Sequence, residues 1–82
     1  MTKFEKLASR FLARPKDFTY SELKSLLSGF GYIEFQGSGS RVVFFNKKLK
    51  HNIKLHKPHP GNILKKYQID LVINELNSNG LL

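Results

Sequence analysis

The chain has no cysteine and no tryptophan among its 82 residues. Without cysteine there is no disulfide, no thiolate zinc site, no iron–sulfur cluster and no thiol nucleophile. The absence also suits a reducing compartment, so a cytoplasmic location is the expectation. No run approaches the roughly 18 apolar residues of a membrane span. The opening Met1-Thr2-Lys3-Phe4-Glu5-Lys6 is too polar for a secretory signal. Internal repeats and low-complexity runs are missing. Proline is scarce, at three residues, and two of them, Pro58 and Pro60, fall in one short connector. What is present is 40% hydrophobic residues, with seven Phe and three Tyr, which argues against disorder. One small domain is expected at this length, hiding about 60–65% of its unfolded surface.

Acid is the other shortage. There are 14 Lys+Arg against 6 Asp+Glu, a formal charge of +8. The excess is not spread evenly. Residues 1–40 carry six basic and four acidic groups, and residues 67–82 carry only Asp70 and Glu75. Between them, residues 41–66 hold Arg41, Lys47, Lys48, Lys50, Lys54, Lys57, Lys65 and Lys66 with no acid at all. Such a block makes a positive surface in almost any compact fold. It attracts a polyanion by Coulomb steering and by release of condensed counterions. A membrane-surface role fits less well, because the cations do not line one helix face opposite an apolar one.

Periodicity gives the elements. Phe4, Leu7, Ala8 and Phe11 recur at helical spacing, so a short helix is predicted over 3–13, stopped at Arg14-Pro15. Thr19-Tyr20-Ser21-Glu22 is a capping box that opens a second helix with the stripe Tyr20, Leu23, Leu26, Leu27 and Phe30. Gly29 or Gly31 ends it. The period then falls to two. Tyr32–Gln36, Arg41–Asn46 and the stretch around Ile53 and Leu55 read as three strands of an antiparallel meander. Lys57-Pro58-His59-Pro60-Gly61-Asn62 is an irregular connector. Ile69, Val72, Ile73 and Leu76 mark a last helix from Lys65, closed by Asn79-Gly80 with Leu81 folding back. The expected fold is α+β: a two-layer sandwich in the order α-α-β-β-β-α, with helices covering one face of a three-stranded antiparallel sheet. Residues 1–18 form an N-terminal helical extension to a domain of 19–82.

With Ile33, Phe35, Ile53 and Leu55 turned toward the helices, Glu34, Lys54 and His56 would face away. One of the pairs Val42/Phe44 and Val43/Phe45 would then stay on the open face. Aromatic rings beside lysines can stack on unpaired bases; alternatively the first helix or a partner protein covers them. Three histidines, His51, His56 and His59, lie close in sequence. Metal-free RNA cleavage needs a base for the ribose 2′-hydroxyl, an acid for the leaving oxygen and cations for the phosphorane. His59, between two prolines, and His56 are the candidates, while His51 in its lysine-rich turn is expected to be solvated. No carboxylate lies nearby, which argues against a metal-dependent nuclease, and no metal site or cofactor is expected. Gly37-Ser38-Gly39-Ser40 is a hairpin turn and not a nucleotide-binding loop, although its backbone N–H groups could approach a phosphate.

At these residues the sequence resembles the HicA-type toxins, the small ribonucleases of bacterial type II toxin–antitoxin pairs. The resemblance covers roughly residues 19–77. It runs through Ser21-Glu22-Leu23-Lys24-Ser25-Leu26-Leu27, Gly31-Tyr32, Gly39-Ser40-Arg41-Val42-Val43-Phe44, and His59-Pro60-Gly61-Asn62-Ile63-Leu64-Lys65-Lys66. It implies a double-stranded-RNA-binding-like fold, mRNA cleavage without a cofactor, and neutralisation by a HicB-like antitoxin. On this chain the RNA-binding positions would be Gly39, Ser40, Arg41, Lys47, Lys48, Lys50, Lys54, Lys65 and Lys66. One departure stands out: the family's catalytic histidine falls on Arg41, and Arg stays charged and cannot act as a base. Tyr67 and Gln68 replace the family's Gly and Thr before the last helix. Either cleavage passes to His56 or His59 with Arg41 at the scissile phosphate, or the chain only binds RNA. A basic protein-interaction domain is the remaining reading. Nothing in the pattern fixes an oligomeric state.

Overall fold

The computed structural model describes residues 3–58 and 61–82. Their order is α1 (Lys3–Leu12), α2 (Tyr20–Gly29), β1 (Tyr32–Gln36), β2 (Arg41–Asn46), β3 (His51–His56) and α3 (Lys66–Ser78). The strands form one antiparallel sheet in the order β1-β2-β3. This is the α+β architecture that the periodicity predicts.

Each helix forms where its apolar stripe and caps permit. Thr19 Oγ1 accepts from the Glu22 backbone N–H at 3.1 Å, and Glu22 Oε1 accepts from the Thr19 N–H at 3.0 Å. That reciprocal cap satisfies two donors with no partner inside the helix, worth about 1 kcal/mol. Gly31, at φ +98°, takes the left-handed turn that leads into β1. Leu23, Leu26 and Leu27 of α2 and Ile69, Val72, Ile73 and Leu76 of α3 are buried, and they meet Val42, Phe44, Ile53 and Leu55 of the sheet in one core. At the end of α3, Gly80 at φ +73° lets the Leu81 N–H return to the Leu76 carbonyl at 2.9 Å.

The α1 helix packs on α2. Phe4 meets Phe30 edge-on at 5.0 Å between ring centres, and Phe11 meets Phe18 at 4.9 Å. Phe11 and Phe18 are fully buried. Gly29 leaves space for the Phe4 ring, which a Cβ at that position would strike. The connector before α3 is fastened to the segment before α2: the Tyr20 N–H donates to the Asn62 carbonyl at 2.7 Å and the Leu64 N–H to the Phe18 carbonyl at 2.9 Å.

One expectation from alternation is reversed. Ile33 and Phe35 do not face the helices; they are 58% and 54% exposed on the open side of the sheet. Glu34 takes the helix side, beside Phe44 and in line with Ile53. The reason is polar. The half-buried Tyr20 ring lies against Phe44, and its hydroxyl needs an acceptor. Glu34 Oε2 accepts from the Tyr20 hydroxyl, and Glu34 Oε1 lies 3.3 Å from Lys24 Nζ. Burial pushes the Glu34 carboxyl up, but the bonds from Tyr20, Gln36 and Lys24 outweigh it and hold the group below the usual carboxylate range.

His51 is a second correction. It is not solvated in the turn but opens β3, with Nδ1 2.7 Å from the Tyr32 hydroxyl and Nε2 2.8 Å from Glu75 Oε2. Both ring nitrogens are occupied in a link from β1 through β3 to α3, which gives His51 a structural role.

Candidate nucleic-acid interface

Pairing register places the basic residues. Arg41 is opposite His56 across the β2–β3 ladder, and Lys54 shares their face two positions earlier on β3. Ser40, at the end of the Gly37–Ser40 turn, puts its Oγ 3.2 Å from His56 Nδ1. That contact orients the imidazole. Ser40, Arg41, Lys54 and His56 are all exposed. Gly39 holds φ +61° in the same turn, with open space around it.

Gln68 fixes this corner from below. It is 4% exposed; its Nε2 donates to the His56 carbonyl at 2.7 Å and its Oε1 accepts from the Lys65 N–H at 2.9 Å. The start of α3, with Lys65 and Lys66, is thereby tied to the end of β3. Tyr67, 63% exposed, and Leu71 stand beside Lys54 and His56 across a cleft of about 160 Å³. Sequence reasoning missed Gln68 as a positioning residue. The signal was available, since a Gln at the third position of a helix commonly reaches back to the residue before it.

Lys47, Lys48 and Lys50 lie elsewhere. They belong to the β2–β3 turn, five residue steps along β2 from Arg41, or about 17 Å. Asn46 anchors this turn. Its Oδ1 accepts from the Leu49 N–H at 3.0 Å and its Nδ2 donates to the Phe30 carbonyl at 3.1 Å. The hairpin cations therefore form two groups, Arg41 and Lys54 toward the corner and Lys47, Lys48 and Lys50 at the turn. Lys57 belongs to neither: its Nζ donates to Gln36 Oε1 and sits 5.9 Å over the Tyr20 ring. His59 lies outside the described residues.

The acids are spent elsewhere. The ion pairs among the described residues are Arg10 with Asp17 and Glu22, Arg14 with Asp70, Lys24 with Glu34, and His51 with Glu75. None uses a Lys or Arg from residues 41–66. Neutralisation is concentrated on α1, α2 and their surroundings, and the hairpin keeps its charge.

The open sheet face carries Ile33 and Phe35 of β1, Val43 and Phe45 of β2, and Asn52 of β3, bordered by Arg41, Lys54 and His56. Of the two candidate β2 pairs, Val42 and Phe44 enter the core, while Val43 and Phe45 are only half-buried. Among the described residues no cluster of His, Asp and Glu could hold a metal ion. No described helix is long and apolar enough to cross a membrane. No protein-family model, curated protein or solved structure matches this chain.

Proposed function

We propose that this chain is a cytoplasmic RNA-binding protein of the HicA toxin type. The observation that carries the reading is the separation of charge: Asp17, Glu22, Glu34 and Asp70 pair with Arg or Lys outside residues 41–66, Glu75 pairs with His51, and among the described residues the hairpin's Arg41, Lys47, Lys48, Lys50 and Lys54 stay exposed and unpaired with carboxylate. A chain of phosphates is the ligand such a surface favours, because each contact releases a condensed counterion. The order of α2 through α3, α-β-β-β-α, is consistent with the double-stranded-RNA-binding-like fold that the resemblance implies. Filter binding with mRNA fragments tests the reading. RNA should bind, and binding should weaken steeply with salt. A flat salt response would dismiss it.

A second reading adds cleavage. It is favoured by the group Ser40, Arg41, Lys54 and His56 on one exposed corner. His56 would take the 2′-hydroxyl proton as the oxygen attacks phosphorus. Arg41 and Lys54 would neutralise the phosphorane. The departing 5′-oxygen needs a proton, for which His59 is the candidate donor; the products would be a 2′,3′-cyclic phosphate and a 5′-hydroxyl. Cleavage in a chelator should be abolished in His56→Ala while RNA binding persists. Cleavage unchanged in that variant would remove His56 from the chemistry. A small acidic HicB-like antitoxin is the protein partner this reading implies, and co-purification with the product of an adjoining reading frame would support it.

A further inference from the structure

Single exposed apolar side chains are ordinary, but a contiguous apolar patch on one face of a domain marks an interaction site. Phe35 and Ile33 are more than half exposed, side by side with Val43 and Phe45. The α1 helix packs on α2, so among the described residues nothing covers this face. Its chemistry narrows the occupant. The residues whose side chains share the face include Arg41 and Lys54 and no carboxylate. A second copy of the chain docking here would set Arg41 and Lys54 against their own counterparts with no acid to answer them. A ligand that is both anionic and flat-ringed complements the rings and the cations together.

We propose that the open sheet face is a stacking platform for unpaired bases, so that the protein selects single-stranded over duplex RNA. This deepens the RNA-binding reading and rests on it. Phe35 and Phe45 are diagonal neighbours on adjacent strands, about 7–8 Å apart. That is about twice the ~3.4 Å repeat of stacked bases, so each ring takes its own base. Arg41 and Lys54 lie beside the rings to hold the phosphates. In a duplex the base faces are already stacked on one another and are not offered to a protein ring.

The test is fluorescence anisotropy on the full chain, using a short single-stranded RNA, the same sequence as a duplex, and an abasic strand with an identical backbone. The intact strand should bind tighter than the other two. Phe35→Ala should weaken single-strand binding by about 5- to 150-fold, with duplex binding and the salt slope unchanged. Phe35→Trp should retain affinity, and Phe35→Leu, apolar but ringless, should not. Three results would overturn the platform: Phe35→Ala binding the single strand like wild type, Phe35→Leu matching wild type, or sedimentation showing a dimer that Phe35→Ala dissolves. If Lys54→Ala weakens RNA binding while Phe35→Ala does not, the RNA reading stands and the platform falls. Binding to none of the three probes would fell both.

Discussion

The turn lysines at 47, 48 and 50 can be neutralised without disturbing the core, since all three are exposed. Lys50 sits at φ +52°, in the left-handed region, so Asn is the replacement that keeps the backbone there. Consider the variant Lys47→Gln, Lys48→Gln, Lys50→Asn. If RNA spans the hairpin from Arg41 to the turn, seven cations contact phosphate: Arg41, Lys47, Lys48, Lys50, Lys54, Lys65 and Lys66. At about 0.7 released ions per single-strand contact, log K falls with log[salt] at a slope near −5, and the variant's slope rises to about −3. A fourfold increase in salt then weakens wild-type binding by about 1000-fold and variant binding by about 50-fold. Anisotropy titrations over that salt range measure both. An unchanged slope in the variant would mean that the turn never touches the ligand. The two groups of cations, about 17 Å apart, would then not share one strand, and the binding surface would shrink to the corner around His56.

Three further outcomes follow from the packing. Asn46→Ala removes the acceptor for the Leu49 N–H and leaves the Phe30 carbonyl without its side-chain donor; urea unfolding should show a loss of about 1–3 kcal/mol, and no loss would mean the anchor is dispensable. Phe35→Thr should destabilise by less than about 1 kcal/mol, the scale of a cross-strand pair with Val43, whereas a loss near the 3–5 kcal/mol of a truncated core Phe would refute the exposed placement. Stability should fall at both pH extremes. Glu22, bonded first by the Thr19 backbone N–H, and Glu34 are held below their ordinary value of 4.5, so their contribution is complete above that pH and is lost as the solution is acidified below it. Burial, with carboxylate neighbours, raises Tyr20 and Tyr32 above their ordinary 10.0, so their contribution is complete below pH 10 and is lost as pH climbs beyond it. Glu22→Gln should flatten the acid limb and Tyr20→Phe the alkaline one in thermal melts.

Local signals carried most of the fold. The Thr19 capping box, the Gly80 stop and the stripe of Ile69, Val72, Ile73 and Leu76 depend on neighbours three or four residues away, and such patterns read directly from sequence. Apart from Gln68, whose local signal was overlooked, the failures were long-range. The positions of His51 and Glu75 are set by contacts spanning 24 residues, and Glu34 is held by Tyr20 fourteen residues earlier. Charge was legible as composition but not as geometry. The acid-free block was plain, yet its division into a turn group and a corner group appears only once Arg41 is seen opposite His56. Gln68 looked like a departure from a family pattern. Its two hydrogen bonds make it the tie between β3 and α3.

The reversal of β1 joins stability to use. Alternation alone would bury Ile33 and Phe35, and burying each such side chain contributes about 1.5–3 kcal/mol. The chain forgoes that gain, and a one-residue shift of register would recover it by exchanging every side chain of β1 between faces. The shift is resisted at the start and at the middle of the strand. Tyr32 is held by His51, and Glu34 by Tyr20 and Lys24. Moving Glu34 outward would leave the Tyr20 hydroxyl without its acceptor inside a packed layer, and would put a carboxylate on the one face that carries none. A sequence that sets its hydrophobic pattern against its fold at a single strand, and builds polar ties to keep it so, points to that strand's outer face as a site of function. Here that face is apolar at its centre and cationic at its border, the combination that a strand of unpaired nucleotides requires.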